Sequence, residues 1–373
     1  MDYLESKRLL ALSFYVNKIG DLKDNFFSKS SLSSAASQRL QLAPALTASE
    51  RIGITTEAKS LHCSKPSLIT GLKNYDICLV GKMSANTTEL VNNMIVANLA
   101  AISKLKSAGA KIATLYCDNY LAYDDVTKDF YEFLINASDF VIFPTEYLRD
   151  YCKPQLKTDI KNTYIIRDPW QINTLEKYPE KPLGSCPWRI IWFGSSKNLD
   201  YLLKILPDLF SSQLGSLKIE LTVLSNMYSL KKIQSSNIIK NLPPEWIFRL
   251  VPWSNNNQPE QLAKELRRAH ISIIPSDPDD PKKAGSSHNR LVDSIRSGCI
   301  TVASPLKSYQ ELSKVCILGN DFPKLIQMSI LQYERLISKH NSLREYATEM
   351  FNPRINQSAW ERVIREIAER KNE

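Results

Sequence analysis

The chain has 373 residues, more than the roughly 250–300 at which a single hydrophobic core stops growing, so two domains are expected. Its hydrophobic fraction of 43% and charged fraction of 23% are typical of a globular protein, and no apolar run reaches the roughly 18 residues of a membrane span. The formal net charge of +9 favours a partner or substrate that carries phosphate or another anionic group.

The seven cysteines are scattered without a CxxC pair, and no two of the four histidines lie at a metal-ligand spacing. Both patterns argue against disulfides and zinc, and they indicate a reducing compartment. Acidic residues near the start of the chain argue against a signal peptide, so we expect a cytoplasmic protein. The basic residues are spread along the chain without interleaved aromatic residues, which argues against nucleic-acid binding.

Residues 1–25 show apolar positions at helical spacing, and residues 26–67 read as short helices and loops that form either part of a cleft or plain surface. From residue 75 the pattern becomes an alternation of strands and helices. The predicted strands are residues 76–80, 111–117, 139–143 and 162–166, and the predicted helices are residues 87–108, 125–137 and 145–151. Such alternation predicts a parallel sheet that helices cover on both faces.

Residues 167–188 contain four prolines and no periodic pattern, which predicts a linker between domains. A second alternating series follows the linker. Its predicted strands are residues 190–194, 217–224, 247–251, 271–274 and 315–318, and its predicted helices are residues 198–209 and 258–269. Residues 323–373 read as helical, with a break at Asn352-Pro353.

The strongest functional signal lies in residues 282–308. Lys282 and Lys283 precede a glycine and two serines, an amphipathic helix follows and ends at Gly298, and a short buried strand comes next. A helix start offers unpaired backbone N–H groups and a partial positive charge, so this stretch predicts an anion site. Asp293, one turn into the helix, adds a group that can bind hydroxyls. Anion and hydroxyl recognition side by side suit a sugar nucleotide.

This stretch resembles the donor-binding signature of GT-B glycosyltransferases. The matching residues are Pro275-Ser276, residues 289–293 (NRLVD) and residues 298–304 (GCITVAS). The resemblance implies an α/β fold with two Rossmann-like domains. Residues 1–180 would form the acceptor domain and residues 187–345 the nucleotide-sugar donor domain, and a last helix, about residues 353–373, would cross back to the first domain.

Ligands of open parallel sheets bind beyond the carboxyl ends of the strands. We therefore predict a donor site from residues that follow strands or open the signature helix: Gly194, Ser195, Lys197, Ser276, Lys282, Ser287, Asn289 and Arg290. Lys283 is predicted as a catalytic residue that neutralises the departing diphosphate. The resemblance implies that Asp293 holds the ribose hydroxyls.

Simpler interpretations stay open for several of these residues. Lys197 and the lysine pair can be solvated surface residues, and the glycine loop at 194 can be an ordinary strand-to-helix turn. Asp293 can form a surface pair with Arg296 or Asn289, an arrangement that contributes little free energy.

The chain departs from the retaining members of the family, which carry two carboxylates eight positions apart. Eight positions before Asp293 stands Gly285, so retention versus inversion stays open. An inverting enzyme needs a base from the first domain to take the acceptor's proton. Asp118, directly after a predicted strand, is the candidate for this base, with Glu146 as second choice; a loop cap is the alternative role for Asp118.

The sequence thus predicts a glycosyltransferase that uses a nucleoside-diphosphate sugar and needs no metal ion or other cofactor. The expected acceptor is a glycan, such as a growing surface polysaccharide, or a lipid-linked hydroxyl compound. The basic charge suits peripheral association with the anionic inner face of a membrane. Two alternatives stay open: a catalytically silent GT-B-like protein that binds a glycan or serves as a partner subunit, and a GT-B sugar-nucleotide epimerase.

Overall fold

The computed structural model describes residues 2–13, 38–59, 61, 72, 74–83, 88–155, 162–253 and 258–370. The chain divides into two compact units. The first contains Met1–Pro169, Ala284–Ser287 and Pro353–Glu373, and the second contains Trp170–Lys283 and His288–Asn352. The helix and loop predictions for residues 14–37, 60, 62–67, 87 and 371–373 lie outside the described residues.

The described part of the first unit is built on a sheet of six parallel strands in the order β2-β1-β3-β4-β5-β6. The strands are β1 Arg8–Leu12, β2 Thr55–Lys59, β3 Ile77–Val80, β4 Lys111–Leu115, β5 Phe140–Phe143 and β6 Thr163–Ile165. Its helices are α1 Asp2–Glu5, α2 Ala43–Arg51, α3 Thr88–Ser107, α4 Val126–Ala137 and α5 Glu146–Cys152, together with the C-terminal helix Pro353–Glu369 and a π-helical turn Gln38–Leu42.

Strand β1 corrects the helical interpretation of the first 25 residues. Leu10 and Leu12 pack on the side of the sheet that α3 and α4 cover, and Leu9 and Ala11 pack on the opposite side, against α2 and the C-terminal helix. A central strand that is buried on both faces reads as one continuous apolar run. Such a run lacks the alternation of a half-exposed strand, and its periodicity alone does not separate it from a buried helix.

Two helix starts in the first unit lie one residue later than predicted, because the predicted first residues are caps. The side chain of Asp125 accepts a hydrogen bond from the Thr127 N–H at 2.8 Å, and Thr145 accepts from the Leu148 N–H at 3.1 Å. A cap residue satisfies one of the backbone donors that the first helical turn leaves without a carbonyl partner.

The described part of the second unit holds another six-stranded parallel sheet, in the order β12-β11-β10-β7-β8-β9. The strands are β7 Trp188–Phe193, β8 Ile219–Ser225, β9 Trp246–Pro252, β10 Ile271–Ile274, β11 Ile300–Ala303 and β12 Ile317–Leu318. The helices are α6 Ser196–Ser211, α7 Met227–Ser235, α8 Gln258–Arg268, α9 Asn289–Arg296, α10 Phe322–Leu331, α11 Tyr333–Asn341 and α12 Arg344–Glu349. The predicted fold class, two α/β units with parallel sheets covered by helices, is confirmed.

The second unit begins earlier in the chain than residue 187, the predicted start. The Trp170 N–H donates to the Phe351 carbonyl at 3.0 Å, and the Arg296 side chain donates to the carbonyls of Ile172 at 2.9 Å and Asn173 at 3.0 Å. Prolines suppress regular secondary structure in residues 170–187, but these bonds still order the start of the segment. The boundary between the units therefore lies at Pro169. The segment 170–187 contains no helix or strand, as a linker would, but it belongs to the second unit.

Two glycines with positive φ differ in how closely other atoms approach them, and therefore in how well they should tolerate a larger side chain. Gly298, which follows the C-cap residue of α9, has φ of +79°, and a Cβ there would lie 2.4 Å from the Lys177 carbonyl oxygen. Gly184 has φ of +57°, with no described atom within 4 Å of a Cβ. We expect Gly298→Ala to lower the free energy of unfolding by about 3 kcal/mol or more and Gly184→Ala by about 1 kcal/mol. Thermal unfolding measures both, and equal losses would contradict the close approach.

Two buried histidines predict a loss of stability in acid. His270 Nδ1 accepts from the Arg189 N–H at 2.9 Å, and burial lowers the pKa of His270, and likewise that of His340, from 6.5 to about 4. The unfolded state therefore binds more protons between pH 6.5 and 4, so stability is fully present above pH 6.5 and falls as the pH is lowered toward 4.

We expect the thermal midpoint of the wild type to fall across this interval, and His340→Leu to flatten the fall without changing the midpoint much at pH 7.5. His340 suits this test because its buried Nδ1 has no hydrogen-bond partner among the described residues. A fall of the same size in wild type and variant would contradict the assignment.

Candidate functional site

The strand order of the second unit identifies one edge of its sheet as the candidate site. Strand β7 lies between β10 and β8, so the chain winds outward on one side of β7 and then returns to begin the other side at β10. In open parallel sheets, ligands bind beyond the carboxyl ends of the strands at such a reversal. Gly194 follows β7 and Ser276 follows β10, so both predicted residues lie at this edge.

The loop after β7 combines a buried glycine with an open helix start. The Gly194 N–H donates to the Leu224 carbonyl at 3.2 Å, and a Cβ at Gly194 would lie 3.2 Å from the Trp192 ring. Ser195 is the N-cap of α6, is exposed, and makes no side-chain cap hydrogen bond; Lys197 is exposed in the first turn. The first N–H groups of a helix have no carbonyl four residues earlier in the helix, so the start of α6 carries a partial positive charge at the edge, although the Asn198 N–H donates to the Ser195 carbonyl at 3.0 Å.

Lys283 lies against the same helix start. Its Nζ donates to the Asn198 Oδ1 at 2.8 Å and lies 5.2 Å from the centre of the Tyr201 ring. Asn198 belongs to the first turn of α6, so the structure brings the predicted catalytic lysine next to the predicted glycine loop. The side chain of its neighbour Lys282 is exposed, and the Lys282 N–H donates to the Asp280 Oδ1 at 2.9 Å.

Ser304, which the predicted donor site did not include, connects the ends of β10 and β11 by hydrogen bonds. The Ser304 hydroxyl donates to the Ser276 carbonyl at 2.8 Å and accepts from the Ser276 N–H at 2.8 Å. The Ser276 hydroxyl itself is buried and has no hydrogen-bond partner among the described residues. The position of Ser304 directly after a strand is the signal that could have identified it.

Arg290 in the first turn of α9 carries a buried nitrogen, Nη1, for which the described residues provide no hydrogen-bond acceptor. Burial raises the pKa of Tyr309, and the charge of the Arg290 side chain and its hydrogen bond with Tyr309 partly offset that rise. A buried guanidinium nitrogen without an acceptor is energetically costly, and an anion that supplies one would remove this cost. Asn289, the first residue of the same helix, is half-buried.

Asp293 does not lie open to a ligand. It is 1% exposed, and its two carboxylate oxygens accept from the Gln171 backbone N–H at 2.8 Å and from the Gln171 side-chain amide at 2.8 Å. These bonds attach the segment after Pro169 to α9. The burial of Asp293 and its bonds to Gln171 do not support the expectation that it holds a ribose. They also do not fit the alternative, a solvent-exposed pair with Arg296 or Asn289.

Ser287 belongs to the first unit and makes a structural contact there. Its hydroxyl donates to the Asp168 Oδ2 at 2.6 Å, and the Gln41 side-chain amide donates to the Asp168 Oδ1 at 2.8 Å. Ser287 therefore orders a buried carboxylate. A donor-binding role for it is not supported by these contacts.

Gly285 occupies the position where retaining members of the resembling family carry a carboxylate. It has φ of +70°, and a Cβ at this residue would lie 2.3 Å from the Leu148 Cβ and 2.8 Å from the Leu148 backbone nitrogen. The Gly285 carbonyl accepts from the Thr145 hydroxyl at 3.1 Å. No side chain fits at this residue without moving Leu148, so its backbone conformation and packing both require glycine.

The first unit has its own polar cluster at the carboxyl ends of strands. Lys82 follows β3, and its ammonium forms an ion pair with Asp118, which follows β4. Burial alone would lower the pKa of Lys82, but the Asp118 charge raises it above its ordinary value. The Ser13 hydroxyl donates to the Lys82 carbonyl at 3.2 Å. The strand-end rule could have paired Lys82 with Asp118, because β3 and β4 are neighbours.

Glu146, the second choice for a base, is in a different environment. Its side chain is 58% exposed and lies 3.3 Å from the Arg167 guanidinium. In the described part of the chain, no group of three or more His, Cys, Asp or Glu side chains is arranged to hold a metal ion. None of the described helices is both long enough and apolar enough to cross a membrane.

We expect Asp293→Asn to destabilise the second unit. The asparagine would direct an NH₂ group at one of the two Gln171 donors, and a buried donor left without an acceptor costs about 1–3 kcal/mol. Asp200→Asn is the matched control, since Asp200 is 70% exposed and pairs only at the surface with Lys232. Thermal unfolding of the two variants measures the difference. Wild-type stability of Asp293→Asn would show that the Gln171 contacts contribute nothing.

The chain resembles several solved structures in fold. The catalytic domain of starch synthase IV from Arabidopsis thaliana, bound to ADP and acarbose, matches with a TM-score of 0.59 and 10% identity over 98% of this chain and 100% of that one. An α-glucosyltransferase in complex with UDP-glucose and DNA containing an abasic site matches with a TM-score of 0.56 and 10% identity, over 97% and 99%. The GtfA/B complex matches with a TM-score of 0.54 and 11% identity, over 79% and 57%.

No protein-family model and no curated protein matches the sequence. The chain spans a little over half the length of the GtfA/B chain, 57%, and of TarM, 55%. The full-length matches cover both units, and each unit contains a six-stranded parallel sheet covered by helices. The chain therefore has the GT-B glycosyltransferase fold.

Proposed function

We propose that the chain is a glycosyltransferase that moves a sugar from a nucleoside-diphosphate sugar to a hydroxyl acceptor. The observation that carries this proposal is the buried Arg290 Nη1, which has no acceptor among the described residues and belongs to a helix that starts at the reversal edge of the second sheet. A guanidinium suits phosphate because its planar set of N–H groups matches the phosphate oxygens.

The other groups at this edge suit the same ligand. The start of α6 offers backbone N–H groups beyond Gly194 and Ser195, and Lys283 brings an ammonium to the first turn of that helix. Ser276 adds a buried hydroxyl with no partner in the described chain. The exposed Lys197 and Lys282, with the half-buried Asn289, complete the proposed set. The similar structures solved with ADP and with UDP-glucose support a nucleotide donor.

The proposed chemistry is a displacement at the anomeric carbon. The acceptor oxygen forms a bond to this carbon as the bond to the diphosphate oxygen breaks, and the diphosphate leaves with the electron pair. Lys283 and Arg290 stabilise the charge that develops on it, so we propose that the reaction proceeds without a metal ion. Asp118 takes the acceptor's proton in this proposal, which corresponds to inversion.

The acceptor, in this proposal, is a glycan or a lipid-linked hydroxyl compound that binds the first unit. The net charge of +9 supports a place near anionic lipid or an anionic glycan, and we propose a cytoplasmic protein that associates with the inner face of a membrane peripherally. Asp293 and Ser287 are left out of the proposed donor site because their polar atoms bind Gln171 and Asp168.

Titration calorimetry with UDP, GDP and ADP tests the donor site. We expect the wild type to bind at least one of them and Arg290→Met to weaken that binding by about tenfold or more, because a charge-assisted contact to phosphate is lost. Arg335→Met removes an exposed arginine of the same unit and serves as the control. Unchanged affinity in Arg290→Met would remove the basis of the proposal.

Release of nucleoside diphosphate from UDP-glucose and GDP-mannose, with and without a glycan mixture, tests the reaction. We expect Asp118→Asn to retain donor affinity and to lower acceptor-dependent release by about a hundredfold, since general base catalysis contributes about 10²–10⁴. Glu146→Gln, at the exposed second-choice residue, is the control. Donor binding without release would identify a silent binding protein, and conversion of the donor sugar without acceptor would identify an epimerase.

A further inference from the structure

The short loop that carries Lys283 is attached to α6 by a tyrosine outside the predicted donor site. The Tyr201 hydroxyl donates to the Asp280 Oδ2 at 2.6 Å. The other oxygen of the same carboxylate accepts from the Lys282 N–H at 2.9 Å, and the Asp280 carbonyl accepts from the Lys283 N–H at 2.8 Å. Asp280 therefore orders the turn Pro281–Lys283, and Tyr201 fixes Asp280 to the helix.

Tyr201 also contacts the side chain at the end of this turn. The Lys283 Nζ lies 5.2 Å from the centre of the Tyr201 ring, a distance at which an ammonium and an aromatic face attract each other. The same Nζ donates to Asn198, which is three residues before Tyr201 and shares its face of α6. Tyr201 thus contacts both ends of the turn, Asp280 with its hydroxyl and Lys283 with its ring.

These contacts matter because a lysine side chain is flexible. Ordering a long, freely rotating side chain costs up to about 2 kcal/mol, and a ligand that had to order Lys283 itself would bind more weakly by that amount. Contacts that order the side chain beforehand remove this cost from binding. The ring and the Asn198 amide can do so without neutralising the ammonium, since neither carries a negative charge.

We propose that Tyr201 is a positioning residue for diphosphate binding, which holds Lys283 at the first turn of α6 through its ring and through Asp280. This inference rests on the proposed function and assigns roles to Tyr201, Asp280 and Asn198, none of which belongs to the predicted donor site. Tyr201 contacts the ligand only through Lys283. Its substitution therefore acts on affinity only when Lys283 is present.

A double-mutant cycle between Tyr201 and Lys283 tests the inference, with UDP, GDP and ADP as calorimetric probes. We expect Tyr201→Phe, which keeps the ring, to weaken the best-bound probe by about threefold to tenfold, because one hydrogen bond to a charged group is lost. Tyr201→Leu removes ring and hydroxyl, and we expect its loss to approach that of Lys283→Met. In the Lys283→Met background, Tyr201→Phe should change affinity by less than about twofold.

Two further variants separate positioning from general damage to the fold. Asp280→Ala breaks the same connection from the other end, so we expect the loss seen in Tyr201→Phe and again no added loss in the Lys283→Met background. Tyr346→Phe alters a tyrosine of the same unit that is 87% exposed, and we expect wild-type affinity. Thermal midpoints of all variants show whether each one is folded.

The outcomes are distinguishable. A full Tyr201→Phe effect in the Lys283→Met background, or no effect in the wild type, overturns the positioning role and leaves the proposed function intact. A wild-type protein that binds none of the three probes overturns the proposed function and this inference with it. Loss of affinity that disappears when Lys283 is absent supports the inference, because a purely structural tyrosine would act in both backgrounds.

Discussion

Helix α9 of the second unit carries three charged side chains that are wholly or partly buried, and each must be compensated in the folded chain or by a ligand. The chain supplies donors to Asp293 and acceptors to Arg296 on α9: the Gln171 N–H and amide donate to the carboxylate, and the carbonyls of Ile172 and Asn173 accept from the guanidinium. Arg290, on the same helix, keeps one buried nitrogen without an acceptor in the described chain. Folding tolerates buried charge where hydrogen bonds compensate it, and Arg290 differs from Asp293 and Arg296 in leaving one buried nitrogen uncompensated among the described residues.

Much of the fold could be predicted from the sequence, because strands and helices of the α/β series differ in length and in flanking residues. The strand Ile271–Ile274 was predicted with its observed bounds. The prediction for α4 differs from the observed helix only by including the cap residue, and the prediction for α5 lies one residue early at both ends. β1 was missed because a strand buried on both faces has no alternating pattern, and its five residues are too few to show any other. Helix α7 was also missed, although Asn226 caps it in the ordinary way.

The candidate site could be predicted in part. Strand-end reasoning placed Gly194 and Ser276 at the carboxyl edge of the second sheet and Asp118 at that of the first, because a parallel sheet puts the residues that follow its strands at this edge whatever the details of packing. Helical spacing and the family resemblance assigned Asp293 to a ligand, and neither shows which residues from elsewhere in the chain lie against it. Only tertiary structure shows that Gln171, more than a hundred positions away in the chain, lies against that face. The contacts of Tyr201 with Asp280 and Lys283 could not be predicted from the sequence for the same reason.

The two compact units are interleaved along the chain. Ala284–Ser287 and Pro353–Glu373 belong to the first unit although both follow the start of the second. Trp360 and Ile364 of the C-terminal helix pack in the same cluster as Leu9 and Leu79 from the first sheet. A gene fragment that stops at Pro169 would therefore encode an incomplete hydrophobic core and an uncovered sheet face, which favours aggregation during expression. Separate production of the amino-terminal unit requires a permuted gene in which the last helix is joined to the front of the chain.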